Sequence, residues 1–382
     1  MQTIFIPYLV LVVILYILYL IEKGKYRVIS KKGAIWTAYI IVFWFIGFRT
    51  FIMSDFIVYF NLFKSIPNIF HINEYNFNKS SYEVGFIIYT SLIKGLTSDY
   101  FVWVGINTLI DMCVFAFFFK KYCKSMILPL IFFIAFNGLL IEFNLYRNVK
   151  GIDCFLLSVP YLQRKKALPY IALNTLGTLF HYSSIIYIPL YFILSREMPK
   201  WLIWGGIVVA NILFLFDIGI INLIISQLPI SDFIIIYNKL AGYQSSAIEV
   251  GFSVGYFERL IAILLFSIFY NKLISHNKAN IIFYNCFWIY YMSYLVFYEV
   301  RVFVERIPML FIFSYWVLYP ALIYVKTRYI NLIKTWSVLI VTLNIYSTFS
   351  LESARYENQL WATPDYDKAV KIQLIDLKNR DK

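Results

Sequence analysis

The chain has 382 residues, 61% of them hydrophobic and only 14% charged, with a mean hydropathy of +0.71. That balance excludes an ordinary soluble domain, in which about a quarter of the residues are charged. The formal net charge of +13 reads as the lysine and arginine excess of cytoplasmic loops, not as a nucleic-acid surface.

Apolar runs long enough to cross a hydrocarbon layer of about 30 Å recur from end to end. In chain order the expected spans are 3–21, 33–51, 100–119, 126–143, 149–163, 201–224, 254–271, 280–298, 307–325 and 330–350. The first has no basic segment before it and no small-residue cleavage site after it, so it reads as a retained span. The stretch 168–194, about 40 Å long if helical, fits one tilted span or two short halves. Charge favours the second. The linkers holding Lys23, Lys25, Arg27, Lys31 and Lys32, then Lys120, Lys121 and Lys124, then Arg164, Lys165 and Lys166, share one side if spans alternate, and the positive-inside rule makes it cytoplasmic. Arg196/Lys200, Lys272/Lys278 and Lys326/Arg328 reach that side only if 168–194 enters and returns, turning near Phe180-His181-Tyr182.

The expected fold is an all-α polytopic membrane protein of about 11–12 transmembrane helices, some short or broken. Residues 1–350 form the membrane domain, with external loops 52–99 and 225–253, and 351–382 form a polar tail, mobile or lightly docked. Within the first loop, 83–96 reads as an interfacial helix. Cys113, Cys123, Cys154 and Cys286 show no CxxC spacing and imply neither disulfides nor zinc. There is no internal repeat.

Soluble-enzyme motifs are absent: no HExxH, GxSxG, P-loop or GxGxxG. Asp365-Tyr-Asp367 has the form of a metal-binding DxD but stands alone in the tail. Charge gathers instead at the outer ends of the spans: Arg49, Asp55, Glu83, Arg147, His181, Glu299, Arg301, Glu305 and Arg306. Charge near a bilayer is costly and marks a polar cavity. A cavity lined by Arg49, Arg147, Arg301 and Arg306 suits an anion, because the guanidinium fork matches phosphate oxygens. Bland readings stand beside this one. Arginines at span ends snorkel to the interface, the charges at 299–306 form an internal ion-pair network, and His181 is a core histidine. Asp111, Asp153 and Asp217, within spans, are structural or mark a proton path.

Four stretches, in order, resemble the EpsG family of bacterial exopolysaccharide proteins, within the wider group of Wzy-type polymerases. Phe48-Arg49 with Asp55 and Tyr59 resembles its FR…D…Y pattern. Tyr82-Glu83-Val84-Gly85-Phe86 resembles its E-G-[FY] element, Tyr146-Arg147-Asn148 its I-R-Q element, and Phe180-His181-Tyr182-Ser183-Ser184 its F-H-x-S element. Tyr237, Tyr243 and Glu305-Arg306 sit where the family has a Y…Y loop and an R-L element. Two departures stand out: the glycine usual before the family's Asp is replaced by Met53-Ser54, and its Gln by Asn148.

The resemblance implies a metal-independent glycosyltransferase without cofactor, acting at the periplasmic face of the bacterial inner membrane. Its partners would be undecaprenyl-diphosphate-linked oligosaccharides as donor and acceptor, the lipid bilayer and a chain-length regulator. The growing O-antigen or surface glycan would pass onto the next lipid-linked repeat unit. In that scheme His181, Arg147 and Glu83 are catalytic, with His181 the first choice of base. Arg147, Arg301 and Arg306 bind the diphosphate. Arg49, Asp55, Tyr243, Glu299 and Glu305 position substrate. The competing readings are a flippase for lipid-linked units and a membrane acyltransferase that decorates the glycan. A flippase would open to both faces and usually shows two similar halves.

Overall fold

A computed structural model describes residues 3–26, 28–221, 223 and 252–380. Among the described residues there are helices and no strand, apart from one isolated bridge between Arg49 and Asn358. The protein is an all-α polytopic membrane protein. It divides into two compact units, Met1–Tyr191 with Thr327–Lys382, and Phe192–Lys326. Tyr243 and almost all of loop 225–253 lie outside the described residues.

Unit 1 contains α1 (Ile6–Glu22), α2 (Lys31–Gly47), α3 (Phe56–Ser65), α4 (Val84–Lys94), α5 (Tyr100–Tyr122), α6 (Leu128–Ala135), α7 (Gly138–Asn144), α8 (Tyr146–Gln163) and α9 (Ala167–Phe180). After the second unit the chain returns as α16 (Ile330–Phe349) and α17 (Tyr366–Arg380). The basic linkers meet at one end of this unit. There the Glu22 carboxylate accepts from the Met126 N–H at 2.8 Å, and the Tyr122 hydroxyl donates to Gln163 at 2.9 Å. The ends of α1, α2, α7 and α8 that hold Tyr8, Arg49, Asn144 and Tyr146 form the other.

Helix α9 has 14 residues, about 21 Å, and stops at His181, whose backbone is extended. The 3-10 turns Tyr182–Tyr187 then run back alongside it, and the Tyr170 hydroxyl, near the start of α9, donates to the Tyr187 carbonyl at 2.5 Å. This is the in-and-out turn that charge alone favours.

Other expected spans are broken as well. Asn137, left-handed at φ 57°, parts α6 from α7 within 126–143. A Cβ on Gly138 would collide with the Phe133 backbone, so Asn137-Gly138 makes a turn few other pairs could. Two described helices, Tyr100–Tyr122 and Ile330–Phe349, are alone long and apolar enough to cross a bilayer, and a pair bent by 48° (Phe303–Phe311 with Phe313–Ile323) makes a third. The remaining crossings expected from hydropathy correspond to continuous helices of 15–18 residues or, over 126–143, to two short helices.

The tail is firmly docked, contrary to the expectation of a mobile or lightly held segment. Tyr356 stacks on Phe45 with ring centroids 3.9 Å apart, the Tyr8 hydroxyl donates to the Ala354 carbonyl at 2.6 Å, and the Gln359 N–H donates to Phe48 at 2.9 Å. Tyr366 stacks on Phe60 of α3, and Asn61 Nδ2 donates to its hydroxyl at 3.1 Å. The Asp365-Tyr-Asp367 sequence opens α17, where the Asp365 carboxylate accepts from the Lys368 N–H at 3.0 Å, as a helix cap does.

Unit 2 contains α10 (Lys200–Leu215), α11 (Val254–Ile268), α12 (Tyr270–His276), α13 (Asn280–Val296), α14 (Arg301–Phe311) and α15 (Phe313–Ile323). Its basic linkers also share an end: Asn285 donates to the Arg196 carbonyl at 2.8 Å and Lys272 to the Lys326 carbonyl at 3.4 Å. The charged segment 299–306 is mostly helical, being the start of α14.

Candidate functional site

Three of the sequence-predicted site residues, from three separate elements of unit 1, meet through one carboxylate. Glu83 is the N-cap residue of α4, His181 ends α9 and Arg147 lies in the first turn of α8. Gly85 lets the first two approach. A Cβ there would stand 2.6 Å from the Leu179 carbonyl oxygen, so any larger residue would push α4 off the end of α9. Helices α8 and α9 are likewise close at Gly151 and Gly177, and Ser184 packs directly over Gly151. Behind them, Tyr59, Phe63, Phe86, Tyr100, Trp103 and Tyr146 form a continuous aromatic core.

Within this frame Glu83 Oε2 accepts from Arg147 Nη1 at 2.6 Å, and Glu83 Oε1 lies 3.1 Å from His181 Nδ1 and 3.1 Å from the Tyr182 N–H. On the far side of the imidazole, His181 Nε2 is 3.1 Å from Ser183 Oγ. Glu83 and His181 are buried, 2% and 5% exposed, while the Arg147 side chain is 22% exposed. The Arg147 guanidinium also covers the Tyr82 ring at 5.0 Å. Burial raises the Glu83 pKa, but the His181 hydrogen bond and the Arg147 charge outweigh it, and the carboxyl is held down at about 2. Glu83 is therefore an anion at neutral pH. It accepts the proton on Nδ1, which leaves the Nε2 lone pair to accept from Ser183. Such a carboxylate is a weak base itself; it sets the tautomer of a better one.

The other predicted site residues are placed differently. Arg49 is 3% exposed and donates to the Ile46 carbonyl at 2.5 Å, the Glu142 carbonyl at 2.8 Å and the Tyr146 hydroxyl, which ties α2 to α7 and α8. Asp55 stands at the N-cap position of α3, one turn before Tyr59, without a side-chain capping bond, and its N–H is directed to Asn144 at 3.3 Å. In unit 2, Glu299 is buried and accepts from the Ile221 N–H at 2.8 Å, whereas Glu305 and Arg306 are exposed on α14. Arg301 opens that helix, and its side chain lies outside the described residues.

Sequence reasoning passed over Glu142, Lys150, Glu258 and Arg259. Lys150 forms a buried ion pair with Asp111 of α5, and its Nζ also reaches the Asn107 carbonyl at 3.4 Å. Asp153 and Glu142 are buried in the same membrane region with neither carboxylate oxygen hydrogen-bonded. The signal that finds all four is simple: each is a charge inside an apolar run, where an unpaired charge is expensive. Among the described residues no group of three His, Cys, Asp or Glu side chains converges as metal ligands.

The family model of the EpsG family matches residues 33–362. The chain matches no curated protein and no solved structure.

Proposed function

The chain belongs to the EpsG family, of polysaccharide-polymerase-like membrane proteins, and from that premise we propose that it polymerises a surface polysaccharide of the O-antigen class. The donor is the growing glycan on undecaprenyl diphosphate, and the acceptor is the next lipid-linked repeat unit. The reaction takes place at the periplasmic face of the inner membrane, where the site lies at the end of unit 1 away from its basic linkers.

The observation that carries this reading is the Glu83–His181 contact beside Arg147. A sugar hydroxyl is a poor nucleophile until its proton is taken as it attacks. In the proposed step the acceptor oxygen bonds to the anomeric carbon of the donor's reducing-end sugar. Its proton passes to His181 Nε2, and the bond from that carbon to the diphosphate breaks with the electron pair leaving on oxygen. Ser183 Oγ, already on Nε2, stands where the acceptor hydroxyl would come. Glu83 stabilises the imidazolium that forms. The departing charge meets the remaining Arg147 donors at the N-terminus of an 18-residue helix, whose dipole also favours an anion. No step calls for a metal.

The test uses membranes bearing the protein with lipid-linked repeat units as sole substrate. Polymerisation should persist in EDTA, and Arg147→Lys should slow it about tenfold or more, because one charge-assisted contact is lost. Loss in EDTA that Mg²⁺ or Mn²⁺ restores would contradict the metal-free step. Full activity with Lys would contradict the need for a bidentate fork.

A further inference from the structure

Unit 2 holds a cation that no motif pointed to. Arg259 lies in the second turn of α11, and the short basic linkers occupy the opposite end of that unit. Its Nε donates to the Tyr290 hydroxyl at 3.0 Å, and its guanidinium carbon lies 4.0 Å from the centre of the Tyr294 ring. Nη1 folds back over Gly255, where a Cβ would stand 2.7 Å from it. The adjacent Glu258 does not pair with it: Oε2 of that buried carboxylate accepts from the Tyr315 hydroxyl at 2.9 Å. No described residue accepts a hydrogen bond from Nη1 or Nη2 of Arg259.

Other polar side chains of unit 2 are tied to one another. The Tyr256 hydroxyl donates to Asn211 Oδ1 at 2.6 Å, Asn211 Nδ2 donates to the Tyr291 hydroxyl at 2.8 Å, and the Tyr298 hydroxyl donates to Asp217 at 2.7 Å. A guanidinium fixed at Nε and backed by a ring has lost most of its freedom before any ligand arrives, so binding costs it little further ordering. The charge of Glu258 acts on Arg259 through space, but no described carboxylate makes a salt-bridge contact with it, and a half-buried arginine in an apolar helix without such a contact is costly to maintain. The fork, which no described residue occupies, has the spacing of two phosphate oxygens.

We infer that Arg259 is a phosphate-binding residue that receives the diphosphate of a polyprenyl-linked glycan, with Gly255 and Tyr294 shaping the position of its fork. The phosphate chemistry comes from this geometry; the polyprenyl carrier rests on the polymerase reading.

The experiment measures binding of undecaprenyl diphosphate to the full-length protein in phosphatidylcholine nanodiscs, with inorganic pyrophosphate and phosphatidylglycerol as competitors. Wild type should bind, pyrophosphate should compete and phosphatidylglycerol should compete much less. Arg259→Lys keeps the charge and stem and should weaken binding about tenfold, as should Gly255→Ala, which displaces the fork without removing it. Equal binding by Arg259→Lys and wild type would overturn the inference, as would displacement by phosphatidylglycerol as strong as by pyrophosphate. Failure of wild type to bind, with a polymer ladder that still depends on the protein, would remove this inference and leave the polymerase reading intact. Binding that depends on Arg259, with a ladder indifferent to the protein, would do the reverse.

Discussion

Glu83 holds an arginine and a histidine with its two oxygens, and its charge is what makes that possible. Glu83→Gln keeps the shape but removes the charge and turns an amide NH2, a donor, toward one of the donors that Glu83 now accepts from. Polymer should fall about tenfold or more while the protein remains in the membrane, and unchanged polymer length would refute the positioning role. The pH dependence has a fixed sign. The Glu83 pKa drops from 4.5 to about 2 on folding, so its stabilising contribution is complete above about pH 4.5 and is lost as pH falls towards 2. Thermal stability of wild type minus that of Glu83→Gln should therefore be flat from pH 5 upward and shrink below it; a difference that grows on acidification would contradict the assignment. Glu83, Arg147 and His181 are legible in sequence because each is polar among apolar neighbours at a span end. Their convergence is not, since it depends on three helix ends meeting. Met53 shows the same limit. It stands near the point where the family usually has a glycine and adopts φ 66°, a left-handed backbone that glycine takes freely and other residues at a cost of about 1–2 kcal/mol. Its N–H is tied to the Ser353 carbonyl of the tail at 2.8 Å.

At the scale of helices, close approach and breaks place the site. Gly85→Ala should separate α4 from α9 and cut polymer about as much as Glu83→Gln does. Gly205 of α10 is the control: a Cβ there meets nothing within 4 Å, so Gly205→Ala should leave the ladder intact. A normal ladder from Gly85→Ala would mean the close approach is dispensable. The buried Lys150–Asp111 pair joins α8 to α5. Asp111→Asn alone leaves a charge without its partner and should destabilise the protein by about 3–5 kcal/mol, whereas Asp111→Leu with Lys150→Met should recover most of that. Melting in detergent decides it, and equal loss in single and double variants would contradict the pairing. Helix existence was readable from hydropathy. The breaks were less so: Asn137-Gly138 carries a turn signature that a long apolar run hides, and the end of α9 at His181, with no glycine or proline to announce it, is legible only from the alternation of the basic linkers.

Over the whole chain, composition establishes the membrane class and charge alternation the sharing of ends by the basic linkers within each unit. The tail was misjudged because polarity says nothing about docking. Its aromatic residues, Tyr356 and Tyr366, find partners on α2 and α3 that no local pattern reveals. The central claim is that this fold joins lipid-linked repeat units and that His181 takes the acceptor proton. The most direct measurement is a gel of surface polysaccharide from cells lacking the protein, with wild type or His181→Ala restored on a plasmid. Without the protein single repeat units should reach the surface, wild type should restore a full ladder, and His181→Ala, present in the membrane at the wild-type level, should give a ladder reduced by about a hundredfold or more. A normal ladder in the deletion strain, or one restored equally by His181→Ala, would contradict that claim.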